Sequence, residues 1–193
     1  KRSFCPIFTN AAIQIVEDFE LEKISNLETP NQVLVIAAMK KNNKEPVIKN
    51  TVSLVLDGIR DPGNLGTIIR IADWFGIPYI FCSEDCVDAY NPKVIQATMG
   101  SIARIKIMET GLGELFRRFP AMPVYAAVMD GENIFKTSLD NHGFIIIGNE
   151  ARGISTGLSP FIHKKITIPK FGNADSLNAA VAAGIVCAEF RKK

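Results

Sequence analysis

Six short apolar runs punctuate the chain from residue 52 onward: VSLVL (52 to 56), YIFC (79 to 82), RIKIM (104 to 108), VYAAV (124 to 128), FIIIG (144 to 148) and KITIP (165 to 169). They are rich in β-branched or aromatic residues and bounded by Gly, Pro, Asp or Asn, as strands are. Helix patterns lie between them. Leu65, Ile68, Ile69 and Ala72 are spaced i, i+3, i+4, i+7 before Gly76 and Pro78, and Leu177, Val181, Gly184, Ile185 and Ala188 form a second stripe running toward the C-terminus. Strands that are apolar throughout must be covered on both faces. The pattern therefore predicts an α/β fold, a mostly parallel sheet with helices on both faces.

In such a sheet, ligands bind outside the carboxyl ends of the strands. Three stretches combine a strand, a short polar loop and a helix start: LDGIRDPGNLGTIIR (56 to 70), IIIGNEARGIS (145 to 155) and IPKFGNADSLNAA (168 to 180). Their loops are expected to meet at one site. With 193 residues, 47% of them hydrophobic, the chain can bury the core this requires. A formal net charge of +2 says nothing about nucleic acid, since that argument needs a clustered patch. The run AAVAAGIVCA (179 to 188) is too short to cross a bilayer, and no signal-peptide pattern opens the chain, so a cytoplasmic location is expected. Of the four cysteines only Cys82 and Cys86 are close in sequence, and C-x3-C with no second pair does not make a metal site. Free thiols in a reducing compartment are expected instead.

The first 48 residues read differently. The chain opens at Lys1 rather than methionine, as expected of a fragment that begins inside a longer protein. Apolar residues between 4 and 24 follow no sustained period, which suggests short strands or turns. Thr29 and Gln32 form a T-x-x-Q capping box with Pro30 as first helical residue, predicting a helix with Val33, Ile36 and Ala37 on one face that ends near Lys41. KNNKEPVIKNT (41 to 51) reads as a linker.

Nucleotide chemistry suits a parallel sheet, yet neither G-x-x-x-x-G-K-[ST] nor G-x-G-x-x-G is present, which argues against a P-loop NTPase and a standard dinucleotide site. What is present is DPGNLGTIIRIADWFGI, IIIGNEARGIS and IPKFGNADSLNAAVAAGI, in that order. These segments resemble motifs 1, 2 and 3 of the SpoU family, the TrmH-like branch of the SPOUT RNA methyltransferases, over about residues 49 to 193. The resemblance implies a C-terminal deep trefoil knot and a homodimer with its active site at the subunit interface. It also implies that S-adenosylmethionine is bound in the knot and that its methyl goes to a ribose 2′-hydroxyl of structured RNA, rRNA or tRNA. ETPNQVLVIAAMK (28 to 40) resembles the end of an L30e-like substrate-binding domain found in family members. Residues 1 to 48 would be its remnant plus a linker, and residues 49 to 193 the methyltransferase.

Carried over by motif, the resemblance gives Asn64 and Arg70, Glu150, and Ser176 and Asn178 as catalytic residues. Arg70 stands about one and a half turns beyond Asn64 on a helix beginning near Asn64, and would share a site across a dimer interface. An arginine there holds an RNA phosphate beside the reacting ribose, with proton acceptance as its second role, since a guanidinium pKa lies above about 12. Glu150 would orient Arg70 or Asn64. Asn64 and Ser176 also suit plain helix N-caps, and Glu150 an exposed turn carboxylate paired with Arg152. Backbone-rich positions at strand ends would hold the cofactor: Ala126, Ala127, Val128, Gly148, Ile168, Pro169, Ser176 and Leu177. Ile168 and Leu177 suit the core equally well. Arg60, Arg70, Arg152 and Lys170, with Lys164 and Lys165, are the basic residues expected to follow RNA. An inactive RNA-binding or assembly factor on the same fold is the alternative function. A nicotinamide-dependent oxidoreductase is more remote.

Overall fold

Strand β1 (Val52–Asp57) is buried along its whole length, and the reason lies in its neighbours. In this computed structural model, which describes residues 12–25, 29–39, 46–48 and 50–192, it pairs in parallel with β2 (Tyr79–Cys82) on one side and β5 (Gly143–Gly148) on the other. Beyond β2 lies β3 (Lys106–Glu109), and beyond β5 lie β4 (Val124–Asn133) and β6 (Lys164–Thr167). The six-stranded sheet has the order β3-β2-β1-β5-β4-β6, every pairing parallel. The α/β class and the parallel sheet are as expected.

Alternate residues feed two cores. Val52, Leu54, Leu56, Ile80, Ile145 and Ile147 pack on one face against helices α2 (Pro62–Trp74) and α5 (Ala179–Phe190). Val55, Phe81, Val124, Phe144 and Ile146 pack on the other against α4 (Leu112–Arg118). A short helix α3 (Pro92–Thr98) sits against α2. The α2 stripe buries as predicted: Leu65, Ile68, Ile69 and Ala72 are inaccessible to solvent.

The α5 stripe does not. Ala179, Ala180, Ala183, Val186, Cys187 and Phe190 are buried, whereas Val181 and Ala188 are exposed and Gly184 and Ile185 only half-buried. Leu177 precedes the helix and is exposed. The helix is apolar on every side, so periodicity cannot choose a face, and the tightest packing takes the small residues.

The chain divides into two compact units, Lys1–Lys41 and Asn42–Lys193. In the first, residues 18–24 form α1 (Asp18–Ile24) rather than strands or turns. A Glu17–Glu20 capping box starts this helix, and none of its residues is buried. The helix expected after Thr29 is absent: residues 33–39 are irregular, with Val33 and Ile36 70% and 92% exposed. A β-branched V-L-V-I segment with no surface to pack on gains too little from helix formation to offset its entropy. Residues 40–45, which include the expected helix end, lie outside the described residues. In the second unit, Val47 donates its N–H to the Tyr79 hydroxyl at 3.3 Å and Ile48 is buried in the core. Among the described residues no helix is long and apolar enough to cross a membrane.

Candidate active site

The three loops converge at the carboxyl ends of β1, β4, β5 and β6. The β5 loop is held on the β1 loop by side-chain bonds to the backbone. Buried Asp57 accepts the Ser155 N–H at 2.6 Å and the Ser155 hydroxyl at 3.0 Å. Asn149 donates to the Gly58 carbonyl at 2.8 Å, while its Oδ1 accepts the N–H groups of Ala151 and Arg152 at 3.0 Å each. Asn149 and Gly153 also exchange backbone bonds across the turn. Gly148 has to be glycine, because a Cβ there would lie 2.6 Å from the Gly153 carbonyl. The turn is thus closed tightly, and Glu150 stands at its exposed tip.

Asp61 is the N-cap of α2, accepting the Asn64 N–H at 2.7 Å, with Pro62 next in the chain. Because Asp61 does the capping, the Asn64 side chain is released from it. Asn64 Nδ2 donates to Glu150 Oε1 at 2.5 Å, and Asn64 Oδ1 accepts from Asn178 Nδ2 at 2.7 Å. Asn178 in turn caps α5, its Oδ1 accepting the N–H groups of Ala180 and Val181 at 2.9 and 3.3 Å. One chain of bonds, Glu150 to Asn64 to Asn178 to the start of α5, therefore joins all three motifs. Neither Asn64 nor Ser176 is the cap that residue type alone suggests.

A cavity of about 520 Å³ opens beside this chain. Its walls include Ala127, Val128, Gly148, Ile168, Pro169, Ser176 and Leu177, seven of the expected cofactor residues, together with Glu150 and Lys170. Ala126 is the exception and does not line the cavity. It is fully buried, paired with Ile146 and Lys165, and strand alternation turns its side chain away from that of Ala127. The cavity exists because β4 bulges: Ala127 and Glu132 both register with Ile166, so residues 128–131 arch out of the sheet. Gly131 makes this possible, since a Cβ there would lie 2.6 Å from the Ile166 backbone. Met129, Asp130, Ile134, Asn149, Phe171 and Ala174 also line the wall and were not expected.

Arg70 does not join the group within this chain. It is exposed on α2, about 9 Å along the axis from Asn64 and on a different side of the helix. Within this chain Glu150 bonds Asn64. Nor does Glu150 pair with Arg152, whose guanidinium lies 3.5 Å from Asp85. Arg60 and Lys170 are exposed near the loops, whereas Lys164 and Lys165 lie 3.9 and 3.0 Å from Glu132 and Asp130. Hydrogen bonding by Lys165 holds the Asp130 carboxyl below its ordinary range. Those two lysines are neutralised locally and offer RNA less than their charge suggests. Cys82 and Cys187 are buried free thiols and Cys86 a half-buried one, while Cys5 lies outside the described residues.

Residues 51–188 match the SpoU rRNA Methylase family. The 23S rRNA (guanosine(2553)-2′-O)-methyltransferase RlmP of Bacillus subtilis is 29% identical over 87% of this chain and 68% of its own length. The 23S rRNA (uridine(2479)-2′-O)-methyltransferase of Streptomyces viridochromogenes is 27% identical over 92% and 66%. The chain thus spans about two thirds of these relatives. Among solved structures, a protein of the TrmH family from Porphyromonas gingivalis superposes with a TM-score of 0.80 at 34% identity, covering 93% of this chain and 74% of that one. The SpoU methyltransferase AviRb of Streptomyces viridochromogenes, solved with AdoMet, superposes with a TM-score of 0.71 at 27% identity over 76% and 62%. Family match, shared fold and three interlocked motifs agree: this chain belongs to the SpoU family of RNA methyltransferases.

Proposed function

We propose that this protein is a 2′-O-ribose methyltransferase that uses S-adenosylmethionine and acts on a structured RNA, rRNA or tRNA. The observation that carries the reading is the bond chain from Glu150 through Asn64 to Asn178 at the rim of the cavity. The cavity suits the cofactor by size and by its mostly apolar wall with few polar groups. Ala127, Val128, Ile168 and Leu177 would wall the purine, and Ser176 would face its polar edge. When bound, the cofactor supplies a methyl group already attached to a sulfonium leaving group. The protein's own task is to fix the ribose oxygen in line and to remove its proton. Asn64, immobilised by Glu150 on one side and Asn178 on the other, is preorganised to hold the ribose.

Arg70 completes the site in a homodimer, the partner subunit's Arg70 clamping a phosphate next to the reacting sugar. Support for the dimer comes from α5, apolar all round yet exposed at Val181, which lines one shallow groove with half-buried Ile71 of α2, and from Trp74, exposed further along α2. A C-terminal trefoil knot has its support in the path of the chain: β6 lies at one edge of the sheet, while α5 returns to pack on α2. Residues 1 to 48 are proposed as the remnant of an L30e-like RNA-binding domain with its linker. The free thiols fit a reducing cytoplasm.

The test is methyl transfer from labelled S-adenosylmethionine to transcribed 23S rRNA and tRNA, followed by alkaline hydrolysis, because a 2′-O-methyl blocks cleavage at the modified nucleotide. An alkali-resistant label that Arg70→Ala reduces at least about a hundredfold, some 2.7 kcal/mol, supports the reading. RNA binding without transfer to either RNA would instead favour an inactive assembly factor.

A further inference from the structure

Asp85 stands between two arginines that come from different loops. Arg60 follows β1 and Arg152 follows β5, and each brings an Nη2 to the same oxygen, Asp85 Oδ2, at 3.3 and 3.5 Å. The other oxygen, Oδ1, accepts the Ser83 hydroxyl at 2.7 Å, and that hydroxyl oxygen accepts the Gly58 N–H at 2.9 Å. One carboxylate thus ties together the loops after β1, β2 and β5. The side chains remain 60% exposed for both arginines and 47% for Asp85, so this arrangement adds little to stability. What it fixes is spacing. Two guanidiniums repel and each samples many rotamers, but a shared anion holds them side by side with their remaining N–H donors toward solvent. The Ser83 hydrogen bond, with help from both arginines, lowers the Asp85 pKa, as close donors around a carboxylate do. The cluster is continuous with the candidate site, because Asn149 accepts the Arg152 N–H and donates to the Gly58 carbonyl, and Glu150 lies between Asn149 and Arg152.

We propose that Asp85 is a positioning residue that sets Arg60 and Arg152 as a two-pronged clamp for RNA phosphates flanking the target ribose. This rests on the methyltransferase reading above. The clamp carries a net charge of +1, two guanidiniums less one carboxylate. Asp85 therefore serves selectivity in two ways. It fixes where phosphates must lie, and it lowers the attraction for RNA of any other shape.

The test uses the whole chain with Asp85→Asn and Asp85→Glu, an RNA that the wild type methylates, and a random-sequence RNA of equal length. Circular dichroism and calorimetry with S-adenosylhomocysteine establish that each variant is folded with an intact cofactor cavity. For Asp85→Asn, kcat/KM on the methylated RNA should fall about tenfold, within the range a misplaced phosphate contact costs. Affinity for the random RNA should rise about threefold, and the slope of log K against log salt should steepen by up to about 0.9 as one more arginine charge becomes available. Asp85→Glu should recover most of the discrimination. A merely structural role would lower both RNA affinities together and leave the slope alone, and that outcome overturns the clamp. So does an Asp85→Asn variant within twofold of wild type on every measure. If the wild type methylates no RNA, the functional reading fails first, and the clamp with it.

Discussion

Replacing Asn64 with aspartate is the sharpest probe of the site, because it keeps the shape and changes one donor into an acceptor. The Asn64 amide donates to a Glu150 oxygen at 2.5 Å, so Asn64→Asp sets two carboxylates face to face. A hydrogen bond to a charged group is lost, worth about 1.5–3 kcal/mol when well shielded. Two unit charges relaxed to about 4 Å repel by roughly 1 kcal/mol in bulk water and roughly 4 kcal/mol near a protein surface. Glu150 is exposed and Asn64 half-buried, so the low end of each range applies. The Asn178 amide keeps a partner and returns part of the loss. A net cost of about 1.5–2.5 kcal/mol at pH 8 corresponds to about 3–10 °C in Tm, at 2–4 °C per kcal/mol for a chain of this size. The deficit must depend on pH. The facing pair holds a proton in the folded variant that it gives up when unfolded, and a repulsion of roughly 1 kcal/mol is less than one pKa unit, so between about pH 4 and 6 the folded state binds more protons and stability falls as pH rises. Differential scanning fluorimetry of wild type, Asn64→Asp and Asn64→Ala from about pH 4 to pH 8 measures this. Asn64→Ala should lose stability by an amount that changes little with pH. A Tm deficit for Asn64→Asp that is absent at about pH 8, or equal at about pH 4 and pH 8, refutes the reasoning.

Gly148→Ala pushes a methyl to within 2.6 Å of the Gly153 backbone, which cannot rotate aside, so about 1–3 kcal/mol of overpacking strain is expected. S-adenosylhomocysteine affinity should drop at least about tenfold, the equivalent of 1.4 kcal/mol, and calorimetry showing unchanged affinity would count against the cavity as cofactor site. Cys86 should be the reactive thiol: hydrogen bonding from Cys82 foremost, with Ser83 and nearby backbone, lowers its pKa to about 6 against the opposing effect of burial. Iodoacetamide labelling of the folded protein, mapped by mass spectrometry, should rise through that pH at Cys86. Cys82, raised by its hydrogen bond to Cys86 and by burial, and Cys187, pushed up to about 12 by burial, should stay unlabelled. A Cys86 midpoint near the ordinary 9.0 would refute this prediction.

What can be read from the sequence, and what cannot, follows from the range of the interactions involved. The strands are legible because Val52 to Leu56 or Phe144 to Ile147 is apolar at nearly every position, a pattern only a doubly covered strand uses. The α2 face is legible because polar Arg70 and Asp73 alternate with Ile68, Ile69 and Ala72. On α5 there is no such contrast, and its buried face differs from the stripe that spacing alone picks out. The segment after Thr29 carries a good capping signal, but a cap only selects where a helix starts and cannot supply the apolar surface that makes one persist. Motif resemblance locates Asn64, Glu150 and Asn178, yet their mutual bonding depends on Asp61 taking the cap of α2, which residue type alone does not reveal. Ala126 and Ala127 are identical in composition, and only strand register separates wall from core. Asp85 leaves no sequence signal because its partners come from loops 25 and 67 residues away in sequence, 85 − 60 and 152 − 85.

The order of strands in the sheet has a kinetic side. No neighbours in β3-β2-β1-β5-β4-β6 are joined by a hairpin, and β1, the earliest of the six in the chain, cannot complete its second edge until β5 has emerged beyond three other strands. Chains with such distant pairings close large loops before any reward arrives, and they fold slowly. During synthesis the Val52–Asp57 strand therefore stands with one apolar edge open, a template for mispairing with another nascent copy. The Asn178 to Asn64 bond, made only after α5 docks, marks the end of that exposed interval, so newly made chains acquire the geometry of the candidate site last of all.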